Sequence, residues 1–308
     1  MRRLIYILIL LTSIQLSISA QNFERISIGD EPDEYYIALA PSSENIKGVL
    51  VLMPGFAQPA ESIFPESKIQ NVAFANSILS IAIPCQPKLY ADSIVIEKLN
   101  KTLNHVKTKY NVSAEDFVLG GFSAGGTISL RYAEYCYQKP DEASIKPQAV
   151  FTVDSPVDLF HIWNYFDREL KKNFSEAGVN EAKYVQGLML KEIGSPEDNR
   201  DVWNAFTPFN MESDAKGNEQ HLESIAIRVY HDIDVNWLIN ERHRSLMDTN
   251  ALPASELINR LKQYGNNKAE FMIAKNEGYR SSGLRHPHSW SIVDEIELIQ
   301  WVKKQLDK

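Results

Sequence analysis

Cysteine is scarce: Cys85 and Cys136 are the only two in 308 residues. One bridge is the most they could form, so no disulfide framework holds this chain together. Even that bridge is not expected. Cys85 ends a strand-like run, whereas Cys136 lies thirteen residues beyond Ser123, about 20 Å along a helix of 1.5 Å rise. Long apolar runs are missing as well. Leu4 to Leu11 is broken by Thr12, Ser13 and Gln15, and a bilayer-spanning helix needs about 20 apolar residues, so no stable membrane anchor is expected. Positive charge is in deficit, with a formal net charge of −8, which argues against nucleic acid as a partner. There is no internal repeat and no low-complexity tract, which leaves out solenoids and linker-like segments.

Metal and cofactor signals are missing too. The histidines show no zincin spacing, and the glycine-rich segment lacks the lysine of a phosphate-binding loop and spells no dinucleotide fingerprint. Asp232, Asp234 and Asn236 begin like a calcium loop, but Trp237 stands where glycine is required and His243 where glutamate is required. Neither a metal nor an organic cofactor is expected.

What is present begins with an export signal. MRRLIYILILLTSIQLSISAQ sets Arg2 and Arg3 ahead of the apolar Leu4 to Leu11 and ends at Ser19-Ala20, the layout of a signal peptide cleaved near Ala20. No cysteine lies near that point to carry a lipid, so periplasmic or secreted protein is expected. Removing residues 1–20 takes away two arginines and no acid, so −8 becomes −10 for residues 21–308. With 44% hydrophobic and 23% charged residues, that chain can bury a large core as one domain.

Strand-like segments recur at Ile26–Ile28, Tyr35–Leu39, Val49–Met53, Ile78–Ile83, Phe117–Leu119, Ala149–Val153, Ile225–Tyr230 and Ala269–Ile273. Helical periodicity appears at Ile94–Tyr110, Ser123–Tyr137, Glu256–Tyr264 and Ile292–Leu306. This alternation predicts an α/β fold: a mostly parallel sheet with helices on both faces and an antiparallel N-terminal edge. About seventy residues, 155–224, separate two of the strands. A connection so long should carry its own helices above the carboxyl edge of the sheet. Its aromatics, among them Phe160, Trp163, Tyr165, Phe166, Tyr184, Trp203 and Phe206, could fill a core of their own or shape a pocket.

One short stretch points to chemistry. In FVLGGFSAGGTISL, Phe117–Leu130, an apolar strand runs into glycines that bracket Ser123 before a helical pattern resumes. Gly121 and Gly125 suggest a strand-helix crossing too tight for a Cβ, with Ser123 held strained and exposed. In open α/β sheets the chemistry gathers past the carboxyl ends of strands. Residues so placed include Asp232 and Asp234 after one strand, His286 and His288 after the last, and Asp154 after the strand ending at Val153. Asp154 precedes Ser155-Pro156, a setting in which a turn or helix-capping role is the simpler reading.

Gly121-Phe122-Ser123-Ala124-Gly125 resembles the G-x-S-x-G nucleophile elbow of the α/β-hydrolase superfamily, and the order serine, aspartate, histidine is that of the same superfamily. Strand before, helix after, and the later acid and histidine extend the resemblance over Ile46 to Leu306. Within the superfamily the chain is similar to bacterial esterases and prolyl-oligopeptidase-like hydrolases. The resemblance implies a Ser-His-Asp triad in which Ser123 attacks an acyl carbon, His288 takes and returns the proton, and Asp234 orients the imidazole, with His286 and Asp232 in reserve. It also implies an oxyanion hole made by the N–H of Ala124 and that of Phe56 or Ala57, although Pro54-Gly55 replaces the family's histidine-glycine pair. The implied activity is hydrolysis of a small-molecule ester, an acylated carbohydrate among the candidates. A peptidase or a non-catalytic binding protein on the same fold are the alternatives.

Overall fold

Two alternating faces explain the sheet. In Gly48–Met53, Val49, Val51 and Met53 enter one apolar cluster while Leu50 and Leu52 enter another, and all five are buried. Side chains alternate across a strand, so a continuous apolar run marks one covered on both sides. The helices Ser93–Tyr110, Ala124–Gln138 and Ala251–Gln263 pack on the first face through Leu99, Leu103, Ile128 and Leu257. Ile69–Ala75 and Glu295–Leu306 cover the second through Ile69, Ala73, Leu298 and Val302.

The computed structural model describes residues 21–41 and 46–307, so the export signal expected at 1–20 lies outside the described residues. Its eight strands are β1 (Phe23–Ser27), β2 (Tyr35–Leu39), β3 (Gly48–Met53), β4 (Ile78–Ala82), β5 (Phe117–Phe122), β6 (Ala149–Val153), β7 (Ala226–Asp232) and β8 (Ala269–Ala274). They form one sheet in the order β1-β2-β4-β3-β5-β6-β7-β8. β2 runs antiparallel to both its neighbours, β1 and β4, and all other pairs are parallel. The antiparallel edge is therefore N-terminal, and β3 to β8 all end on the same side. β5 runs three residues past Leu119, because Gly120 to Phe122 keep pairing with Phe151 to Val153 of β6.

Residues 155–224 carry the helices Leu159–Lys172, Glu176–Ile193 and Arg200–Phe206 and a 3-10 turn at Asn218–Leu222. The Asp158 carboxylate accepts the Phe160 and His161 N–H groups, and the Ser175 hydroxyl accepts that of Gly178, so each of the first two helices begins at a side-chain cap. Both readings of the aromatics apply, to different residues. Trp203 is fully buried with Phe160 and Trp163 around it at ring distances of 5.5 and 5.3 Å, whereas Tyr165 and Phe166 line a cavity shared with Ser123. Cys85 and Cys136 are unpaired and buried. Burial pushes each thiol up to about 12, as expected of inert structural cysteines.

Candidate active site

Ser123 stands between β5 and the helix Ala124–Gln138 with φ 53° and ψ −127°. A residue with a Cβ rarely adopts such a backbone, and it persists only where the surroundings dictate it. Those surroundings are close contacts on either side. A Cβ at Gly121 would lie 2.3 Å from the carbonyl carbon of Gly125, and one at Gly125 would lie 2.2 Å from the Pro54 carbonyl oxygen. The Ser123 carbonyl accepts from Gly126 and Thr127 at 3.0 and 3.2 Å, while its hydroxyl makes no cap bond. Its backbone thus starts the helix and leaves the side chain to the cavity.

The imidazole comes from the loop after β8. His288 Nδ1 lies 2.6 Å from Asp154 Oδ2, and its ring packs 4.5 Å from that of Phe122, the residue before Ser123. An ionised carboxylate only accepts hydrogen bonds, so Nδ1 carries the proton and Nε2 is left as the basic nitrogen. Asp154 is the first residue past β6 and is held at φ 43°. Its other oxygen, Oδ1, takes a second imidazole, His231 Nδ1 at 2.7 Å. Burial acts to raise the Asp154 carboxyl, but the bonds from His231 and His288 outweigh it and hold the pKa well below the ordinary carboxylate range.

Two backbone N–H groups beside the Ser123 cavity are candidate anion donors. The N–H of Ala124 opens the helix and, like that of Phe56, meets no acceptor among the described residues. Contact between Gly125 and the carbonyl of Pro54 draws the loop after β3 against the start of that helix. Phe56 lines the cavity, but the Ala57 N–H donates to Gln86 O at 3.3 Å and is already engaged. Of the two expected second donors, the geometry therefore favours Phe56. Ser123, Asp154, His288 and Phe56 border one cavity of about 370 Å³, completed by side chains of 155–224 such as Tyr165, Phe166 and Val185.

No family model matches the chain, and neither does any curated protein. Solved structures do. A truncated carbohydrate esterase from gut microbiota is 13% identical with a TM-score of 0.61, covering 94% of this chain and 97% of its own. An esterase of the bacterial hormone-sensitive lipase family is 14% identical, with a TM-score of 0.57 over 97% and 87%. Carboxyl esterase 2 of the mycorrhizal fungus Tuber melanosporum is 13% identical, with a TM-score of 0.57 over 94% and 88%. The chain has the α/β-hydrolase fold.

Within that fold, the acid expected beside the imidazole is a different one. Asp234 caps the helix Val235–Arg242, accepting the Trp237 N–H at 3.0 Å, and pairs with Arg285 at 3.2 Å. Asp232 accepts the N–H groups of Asn276, Glu277 and Gly278 at 3.1, 3.1 and 2.9 Å and pairs with Arg285 at 2.8 Å. Both carboxylates are thus spent on fastening the segment that leads to His288. Asp154 is the one that reaches the ring, because β6 adjoins β5 in the sheet while β7 is one strand further out. Its signal was an acid placed directly after the strand next to the serine strand, and the following Ser155-Pro156 masked it as a turn. His231 was not anticipated. A histidine inside the fully buried strand β7 is the clue it offered. His286, the reserve base, lies 5.8 Å from the Trp237 ring with Nδ1 unpartnered among the described residues, and burial, aided by His288, Arg280 and Arg242, depresses it to about 3. It is a neutral wall of the cavity.

Proposed function

We propose that the protein is an exported serine hydrolase that cleaves small carboxylic esters through an acyl-enzyme, with Ser123 as nucleophile, His288 as acid-base and Asp154 as its orienting carboxylate. The observation that carries this reading is the shared Asp154-His288 bond beside a serine whose hydroxyl is released from helix capping. His288 Nε2 takes the Ser123 proton as Oγ attacks the acyl carbon, then passes that proton to the leaving alcohol as the ester C–O bond breaks. Water repeats the sequence in reverse roles: His288 removes its proton, the hydroxide oxygen adds to the acyl carbon, and the proton returns to Ser123 Oγ as the carboxylic acid departs. Ala124 and Phe56 N–H groups stabilise the oxyanion in each half, with the positive end of the helix behind Ala124.

The helices of 155–224 act as a cap that shapes the substrate pocket. The esterases among the structural neighbours favour an ester over a peptide, and a carbohydrate esterase among them makes an acylated carbohydrate a reasonable substrate. A leader cleaved near Ala20 would deliver the enzyme to the periplasm or beyond. The test is hydrolysis of 4-nitrophenyl acetate and butyrate by wild-type and Ser123→Ala protein. A fall of about a thousandfold or more in kcat is expected. Equal rates would dispose of the reading.

A further inference from the structure

The cavity of this acidic chain is bordered by three arginines, Arg242, Arg244 and Arg280. Arg244 is paired with Glu169 at 3.2 Å. The other two have no ion pair and no side-chain hydrogen bond among the described residues, although both are half-buried. Meanwhile most carboxylates bordering the cavity are already engaged. Asp154 is held by two histidines, Asp232 by Arg285 and three N–H groups, and Asp248 by Arg168 and Lys172. Only Glu181, exposed at the rim, is a lining acid without an ion pair among the described residues. Two guanidinium groups are therefore left without a direct ion pair among the described residues.

Their positions are specific. Arg280 stacks over Phe122 at 5.4 Å, and the same Phe122 ring touches His288, so this cation stands close to the serine and its base. Arg242 stacks over Trp237 at 5.2 Å, on the wall that also holds His286. Arg242 ends a helix, where a cation is favoured by the dipole in any protein. No helix end accounts for Arg280, which belongs to the loop between β8 and His288. Burial disfavours its charge and so does Arg242, against partial relief from Glu66 and Asp154. A planar guanidinium placed on an aromatic face presents its N–H groups in a fork that fits a carboxylate.

We propose that the preferred substrate is an ester bearing a carboxylate near the scissile bond, bound by Arg280 and Arg242. The idea rests on the ester-hydrolase reading of the same cavity and narrows it to monoesters of diacids or esters of hydroxy acids, acylated sugar acids included. The anion would complete an electrostatic arrangement that the protein leaves open, and it would place the ester carbonyl beside Ser123.

Two pairs of esters cover the acyl and alcohol sides: 4-nitrophenyl hemiglutarate against 4-nitrophenyl valerate, and 4-acetoxybenzoate against its methyl ester. In at least one pair the anionic member should have a kcat/KM about tenfold or more above its neutral counterpart at low salt, with the ratio shrinking as salt is added. Arg280→Gln should cut that ratio about tenfold, and Arg280→Lys should restore part of it. Ratios near one in both pairs, with neutral esters hydrolysed, would overturn the proposal and leave the hydrolase reading intact. Should no ester be hydrolysed, the hydrolase reading fails, and the anion site is judged by calorimetry on the Ser123→Ala protein. Glutarate binding that 1,5-pentanediol does not reproduce and that Arg280→Gln abolishes would uphold the site, and no glutarate binding would reject it.

Discussion

The ends of β6 and β7 each place an aspartate beside the same cavity, and the two do opposite work. At the end of β6, Asp154 spends both oxygens on imidazoles, those of His288 and His231. At the end of β7, Asp232 spends its own on three backbone N–H groups and Arg285. The first carboxylate orients the His288 ring, while the second fixes the loop on which that ring rides. Side-chain chemistry is identical in the two, so the role is set by what the neighbouring strand and loop offer as donors.

Substitutions at these acids separate the two roles. Asp154→Asn keeps the shape but replaces one acceptor oxygen by a donor, so the His288 tautomer is no longer held and kcat should fall by about 10⁴ while the protein stays folded. Steady-state kinetics with circular dichroism checks this. Asp232→Asn removes the charge that gathers Asn276, Glu277 and Gly278, so a loss of about 1 to 3 kcal/mol in unfolding free energy is expected, with a fall in kcat near tenfold as the His288 segment loosens. Urea titration beside kinetics would distinguish this from the first variant. Asp234→Ala should cost about 1 kcal/mol through the lost cap on Val235–Arg242 and change kcat by less than about threefold. A large kinetic defect there with Asp154→Asn active would reverse the comparison.

Acid stability offers a smaller effect with a definite sign. Because His286 is depressed to about 3 in the fold, against about 6.5 for a free imidazole, the unfolded chain takes up that proton first. This contribution to stability is therefore lost progressively as pH falls from about 6.5 toward 3. Asp154 works lower on the scale: its folded pKa is held below the ordinary value, so its contribution is present above the ordinary carboxylate value of about 4 and is lost progressively as pH falls from there to the folded value. His286→Asn should accordingly shrink the drop in urea midpoint between pH 7 and pH 4.5. An unchanged drop would remove His286 from the account.

The sheet was legible in the sequence because strands buried on both faces leave unbroken apolar runs, as Val49–Met53 and Ala149–Val153 do. The elbow was legible because only glycine permits the approaches at Gly121 and Gly125. The acid was harder to read. Asp154, Asp232 and Asp234 all stand at or just past strand ends, and choosing among them requires knowing that β6 sits beside β5 and that Arg285 folds back onto Asp232 and Asp234. Long-range donors of this sort leave no local periodicity. That the Ala57 N–H is engaged was hidden for a similar reason, since its acceptor Gln86 is 29 residues away. The lack of an ion pair at Arg242 and Arg280 likewise leaves no mark in the sequence, because pairing is settled by residues that the fold brings near.

Labelling by a fluorophosphonate tests the central assignment most directly, since the reagent reports an activated serine without requiring knowledge of the substrate. Wild-type and Asp234→Asn proteins should be modified at comparable rates with the mass increase mapped to Ser123, and Asp154→Asn should react slower by orders of magnitude. Rapid labelling of Asp154→Asn, or a modified residue other than Ser123, would contradict the Ser123-His288-Asp154 relay.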